Sequence, residues 1–307
     1  MIDRSTPQGD YARRLVFLFA LAYFAQGIAQ DEGLLSQPLK YFFKEALGLD
    51  AAQTTEYLAV VAIPWTIKPL YGLVSDYIPL AGYRRKTWLL AMSLLAALGF
   101  LWMWRLTAPA VVVTALALTA LGVAAADVII DAIMVGNGRE TGRTAEYQSV
   151  QWLWMSIGSV VSALLGGYLC TVLSPGTALH VAALIALSAP VAVMIASWLV
   201  VREERAAVDL ASMKATTASL LATFRSRTFW AVMAFQAFWC FNPSFGTPWY
   251  YHQVNVLKFS QEYNGILSAI GSIGAVLGAL ARSNAGAKTL TGAMPAAGGG
   301  GLLSTFI

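Results

Sequence analysis

Residues 110–136 read AVVVTALALTALGVAAADVIIDAIMVG. Apart from Asp127 and Asp131 the run is almost wholly apolar, and it exceeds the roughly 20 residues a helix needs to cross the hydrocarbon of a bilayer. A surface helix of a soluble protein has an apolar stripe and a polar face. This stretch is apolar all round except where the two carboxylates fall. They stand four residues apart, which places both on one face of a helix. The stretch therefore predicts a transmembrane helix carrying a two-acid spot.

The rest of the chain is built the same way. Of its 307 residues 58% are hydrophobic and only 12% charged, against roughly 45–50% and about 25% in soluble domains. The composition excludes a soluble globular domain, a disordered chain, a collagen-like fibre and a disulfide scaffold. Cys170 and Cys240 lie inside apolar runs, not in a secreted disulfide framework. The opening MIDRSTPQGDYA has no cleavable signal or transit pattern, so internal spans are expected to direct insertion. Eight spans are predicted: Leu15–Ala29 (extending toward Leu47), Tyr57–Ser75, Thr87–Trp104, Ala110–Gly136, Tyr147–Val172, Ala178–Val201, Phe229–Val256 and Ile266–Ala281. None shows the period-2 alternation of a barrel strand. The expected fold is all-α, a polytopic membrane helix bundle.

The loops set the orientation. With the amino terminus in the cytoplasm, that side collects Arg13, Arg14, Arg84, Arg85, Lys86, Arg139, Arg143, Arg202, Arg205, Arg225, Arg227 and most of the other basic residues. The opposite side holds only Lys40, Lys44, Arg105 and Lys258. This asymmetry follows the positive-inside rule and puts both termini in the cytoplasm, with the cell membrane the expected location. The longest polar segment divides the chain. The expected units are a six-helix bundle over 1–201, a cytoplasmic loop over 202–227, two further helices over 228–282, and a low-complexity tail over 283–307.

Ionisable groups at membrane depth are costly and usually face a cavity or a partner. Asp127 and Asp131 read either as a substrate or proton site or as a salt-bridge anchor. Lys68, bracketed by Pro64 and Pro69, needs a counter-charge, for which Asp127 or Asp131 is the candidate; the alternative is a lysine snorkelling to the interface. Asp31 and Glu32 are expected in the outer part of a first helix that runs on through LLSQPLKYFF, facing inward, or else at a helix end in outer solvent. Asn242 and Pro243 interrupt the seventh span, as backbone lining a cavity is allowed to do. Gly158, Ser162 and Gly166, and Gly274 with Gly278, are spaced for close helix packing. His180 and His252 have no metal-ligand spacing, and neither GxSxG nor a phosphate loop occurs. No enzyme activity, metal, cofactor or nucleic-acid partner is expected.

The stretch GLVSDYIPLAGYRRKTWLL, with Gly72, Asp76, Gly82, Arg84, Arg85 and Lys86, resembles the loop between the second and third helices of major facilitator transporters. Its Asp76–Gly82 spacing is longer than the commonest form. Together with PWTIKPLYG, ADVIIDAIMV, FNPSFGTPWYY and the segment beginning at Gln148 and Gln151, it is similar to the folate–biopterin transporter family; muropeptide permeases share a similar loop and aspartate pair. The resemblance implies two six-helix halves with substrate bound between them near the midplane. It places Asp31, Glu32, Lys68, Asp127, Asp131, Gln148, Gln151, Asn242 and Pro243 at the substrate or proton site, with Trp65 and Trp152 as stacking surfaces. Gly72, Asp76, Arg84 and Arg85 would form a cytoplasmic gate latch. The implied function is proton-coupled secondary transport of a folate- or pterin-like organic anion across a lipid bilayer. The alternatives are a permease of the same fold for a muropeptide, sugar or peptide, and a non-transporting remnant. The family has about twelve helices and eight are predicted here, so a fragment, or a reading frame lost near Arg282, is an expectation.

Overall fold

The computed structural model describes residues 7–104, 107–205, 217–219, 222–239 and 246–289. These form helices almost throughout: α1 (Pro7–Ala29), α2 (Ser36–Tyr41, continued by a π-helical turn over Phe42–Ala46), α3 (Ala51–Thr66), α4 (Lys68–Tyr77), α5 (Lys86–Trp102), α6 (Pro109–Thr141), α7 (Thr144–Val172), α8 (Pro175–Val200), α9 (Arg227–Trp239), α10 (Gly246–Asn255) and α11 (Gln261–Thr289). Among the described residues the extended pairing is confined to one isolated bridge, Leu80 with Tyr83. Among the described residues, five helical stretches are long and apolar enough to cross a membrane: Gly9–Ala29, Ala51–Tyr77, Pro109–Thr141, Thr144–Val172 and Pro175–Val200. Lys86–Trp102 is a shorter apolar helix. The molecule is an all-α membrane helix bundle.

Local chemistry explains the breaks. The first predicted span does not run on to Leu47 as one helix. It ends at Ala29 and turns through Gln30–Leu35, where the amides of Gly33 and Leu34 bond to the carbonyls of Gln30 and Ile28. Gly33 is required in that turn, because a β-carbon there would strike the Ile28 carbonyl. Asp50 and Gln53 form a reciprocal capping box that starts α3. The second predicted span is split at Ile67. Pro69 has no N–H for the Trp65 carbonyl, so the ladder is interrupted there and Lys68 opens a new helix. The seventh predicted span divides into α9 and α10, and the intervening 240–245, with Asn242 and Pro243, lie outside the described residues. The eighth is longer than expected, over Gln261–Thr289.

The most buried of these long helices is α6, which meets α3, α4 and α5; α8 lies against α5 and α1, and α7 lies between α1 and α11. One apolar cluster gathers Phe43, Phe100, Met103, Val112, Leu179 and Ala182. The other gathers Leu15, Phe19, Tyr23, Leu89, Ile129 and Tyr147. In lipid the helices gain little by hiding apolar surface from one another, so close backbone approach and polar contacts matter more. Gly27 of α1 faces Gly158 of α7: a β-carbon on Gly158 would lie 2.5 Å from the Phe24 carbonyl oxygen. Ser162 donates to the Gly27 carbonyl at 2.9 Å. Gly166 lies against the Leu34 carbonyl. The α7–α11 contact uses Gly167 and Gly265 instead of the predicted Gly274, which has open space around it; Gly278 has no side-chain description.

Candidate functional site

Five elements bring polar and aromatic side chains to one place deep in the bundle. The break at Ile67 starts α4 with Lys68, whose ammonium donates to Asp127 Oδ2 of α6 at 2.7 Å. Of the two expected counter-charges it is Asp127 that pairs. Both side chains are nearly closed to solvent, at 11% and 5% exposure. The Lys68 ammonium also lies over the Trp65 ring, 4.5 Å from its centroid. The indole N–H of Trp65 is buried without a hydrogen-bond partner.

One turn further along α6, Asp131 is buried and meets different partners. The Tyr23 hydroxyl of α1 donates to its Oδ1, and the Gln151 side-chain amide of α7 donates to the same atom at 3.1 Å. Asp131 therefore sits among neutral donors, while Asp127 holds the cation. Such a division suits two roles, since hydrogen bonds satisfy one carboxylate and a charge satisfies the other. Tyr23 was missed in the sequence because an isolated tyrosine in an apolar run carries no spacing signal.

Of the other predicted residues that are described, Gln148, Asp31 and Glu32 make no hydrogen bond or ion pair with this cluster. Gln148 is half-buried near the start of α7, and its side chain makes no hydrogen bond among the described residues. Trp152 is exposed on α7. Asp31 and Glu32 lie in the α1–α2 turn and are exposed. The expectation that the first helix runs on through them is corrected: α1 ends at Ala29. They line a cavity of about 150 Å³ with Lys40, Ser36, Thr119 and Thr247.

At the basic end of the bundle, Asp76 and Arg85 form an ion pair at 3.5 Å. It is partly exposed, a kind of pair worth little alone. The stronger element is Glu203, which follows α8. Its carboxylate accepts the backbone N–H groups of Arg84 (3.0 Å), Arg85 (3.1 Å) and Lys86 (2.8 Å) at the start of α5. These are the orphan donors of a helix N-terminus, where a negative charge is also favoured by the helix dipole. In return Lys86 donates to the Trp198 and Val201 carbonyls at the end of α8, at 3.0 and 2.9 Å. Each helix thus caps the other. Arg85 also donates to the Ala132 carbonyl at 2.9 Å, linking this end to α6. Gly72 lies beside Val128 of α6. Arg84 contributes its backbone, and its Nε has no partner.

An all-α membrane bundle with a buried lysine–carboxylate pair and a second carboxylate a turn away is the class that fold and site define. The chain belongs to the BT1 family, whose model matches residues 26–284. It is 29% identical over 262 residues to a folate-biopterin transporter of Synechocystis sp., covering 83% of this chain and 51% of that one. It is 32% identical over 159 residues to a probable folate-biopterin transporter 4 of Arabidopsis thaliana, covering 50% and 32%. It is 24% identical over 258 residues to folate transporter 1 of Plasmodium falciparum, covering 83% and 49%. The chain spans about half or less of the length of these relatives.

Proposed function

We propose that the chain forms the substrate- and proton-handling part of a multi-pass secondary transporter for a folate- or pterin-like organic anion. It would work by alternating access in a major-facilitator-like arrangement, with both termini in the cytoplasm. The observation that carries the reading is the Lys68–Asp127 pair at 2.7 Å, closed from solvent and adjacent to a second carboxylate. The names of the relatives supply the substrate class.

The coupling follows from electrostatics. An incoming anion needs Lys68, which must then leave Asp127. A buried carboxylate stripped of its partner costs about 3–5 kcal/mol. If Asp127 takes a proton at that moment, the cost disappears and substrate and proton enter together. Trp65 offers its face to Lys68. The α5–α8 clasp around Glu203, with Asp76 and Arg85, is the element that would open and close at the cytoplasmic side, biasing a two-state equilibrium.

The test is uptake of labelled folate and biopterin by cells making this chain, beside a version extended to the length of the relatives, with Asp127→Asn in each. Uptake above background, abolished by Asp127→Asn, is the expected result. No uptake of either solute by correctly inserted proteins overturns the substrate class.

A further inference from the structure

The turn that ends α1 and the helix that follows it bring a second group of charges together. Asp31, Glu32 and Lys40 line one cavity of about 150 Å³, which Thr247 of α10 also lines. The turn is fixed. The amides of Gly33 and Leu34 bond to the Gln30 and Ile28 carbonyls, and Gly33 leaves no room for a β-carbon. The two carboxylates are therefore presented from a set backbone. Lys40 donates to the Ser36 hydroxyl, one turn earlier, at 3.2 Å. Among the described residues no ion pair joins Lys40 to either acid, although theirs are the negative charges whose field reaches it. Lys44, one turn on, does pair, with Glu45. Opposite charges thus line one cavity without meeting across it. Thr247 is a second, independent signal. It is only 8% exposed, and its hydroxyl makes no hydrogen bond among the described residues. Unlike the sealed Ser93 and Ser197 hydroxyls, it opens to the cavity.

The lining sets what fits. Two carboxylates against one ammonium disfavour a simple anion, and Lys40 disfavours a simple cation. A group with N–H donors on one edge and an oxygen acceptor beside them satisfies both. Leu39, Val61, Phe100 and Leu116 supply apolar wall, which favours a flat ring over a bare charged head group. Apolar walls with a few convergent polar groups are the usual make-up of a small-molecule site. A cavity of about 150 Å³ admits one benzene-sized ring. Building on the folate- or pterin-like reading above, we propose that this cavity takes the amino-oxo-pyrimidine ring of a pterin. The amino group and the adjacent ring N–H donate side by side to the Asp31 or Glu32 carboxylate, the paired geometry in which a guanidinium also meets a carboxylate. The ring carbonyl accepts from Lys40, and Thr247 donates to a ring nitrogen. The rest of the solute lies toward Asp31 and Glu32, the exposed part of the lining. Neither Lys68 nor Asp127 lines this cavity, so the ring is held by residues other than the pair that meets the anion.

Equilibrium binding of tritiated biopterin to the whole chain in lipid nanodiscs tests this without transport, because biopterin carries the ring and no carboxylate. Lys40→Met and the double variant Asp31→Asn/Glu32→Gln each remove a hydrogen bond to a charged group and are expected to raise its Kd about ten-fold or more. The isosteric Thr247→Val removes a neutral hydrogen bond and is expected to raise it about three-fold. Asp31 and Glu32 are exposed, so their double variant keeps the fold. Lys44→Met, which removes a cation that does not line the cavity, is expected to leave the Kd unchanged. Folate is expected to displace biopterin, and p-aminobenzoylglutamate, the ring-free part of folate, is not. An unchanged Kd in both Lys40→Met and the acid double variant, or displacement by p-aminobenzoylglutamate as effective as by folate, overturns the proposal alone. Absence of biopterin and folate binding by the parent chain overturns it together with the substrate class. Binding that responds to the cavity variants as expected, with no uptake in cells, overturns the transport reading alone.

Discussion

The Lys68–Asp127 pair makes a quantitative demand on stability. Its atoms lie 2.7 Å apart, and neither side chain reaches solvent freely. Removing one partner of such a pair costs about 3–5 kcal/mol, because the other stays behind as an uncompensated charge, whereas replacing both with apolar groups of similar size is nearly neutral or stabilising. At about 1.4 kcal/mol per decade, Lys68→Met or Asp127→Leu alone should lower the folded-to-unfolded ratio by roughly two to four powers of ten. The double variant should return to within about 1 kcal/mol of the parent. The singles should also differ. Lys68→Met leaves two buried carboxylates, Asp127 and Asp131, one helical turn apart without their cation, whereas Asp127→Leu leaves a buried ammonium with one carboxylate of opposite sign a turn further along α6. Lys68→Met is therefore the worse of the two. The assay is equilibrium unfolding in mixed detergent micelles, followed by tryptophan fluorescence, as a double-mutant cycle. A coupling below about 1 kcal/mol, the size of ordinary interhelical hydrogen bonds in membranes, would refute the view that this pair is a mutually dependent charge couple. Transport should not recover in the double variant even where stability does.

Two further predictions concern the helix contacts. Glu203→Ala removes the acceptor for three backbone N–H groups at the start of α5. It should destabilise the α5–α8 end by about 1–3 kcal/mol, read as faster amide exchange at Arg84, Arg85 and Lys86, while Glu204→Ala at the exposed neighbour leaves exchange unchanged. Gly158→Ala puts a methyl 2.5 Å from the Phe24 carbonyl oxygen and should cost about 1–3 kcal/mol through forced separation of α1 and α7. Gly274→Ala, with nothing within 4 Å, should be neutral or slightly stabilising in the same unfolding assay.

How much of this was legible beforehand depends on the range of the forces involved. Spans, all-α class and the embedded acids follow from one-dimensional quantities. Apolar length is set by bilayer thickness, and a run such as 110–136 admits no other reading. The four-residue spacing of Asp127 and Asp131 fixes their shared face by helix geometry alone. The span Tyr57–Ser75 was read as one helix, and the structure splits it at Ile67, just before Pro69. The first helix was misread because its end rests on Gly33 fitting under the Ile28 carbonyl, a contact that hydropathy does not register.

Partner choice was decided by the tertiary structure. Lys68 had two acids within a turn of each other, and only the placement of α4 against α6 selected Asp127. Tyr23 and Asp131 are 108 residues apart, and Glu203 caps amides 117 to 119 positions away. Ser93 gives no sign in the sequence that its hydroxyl, unlike that of Thr119, is left unpaired. The sequence by itself determined what must lie in the membrane, because the transfer of each residue into hydrocarbon is a local property that sums along the chain. Which buried polar groups meet was determined by how the helices dock, because hydrogen bonds and ion pairs are short-ranged and depend on positions set by the whole bundle at once.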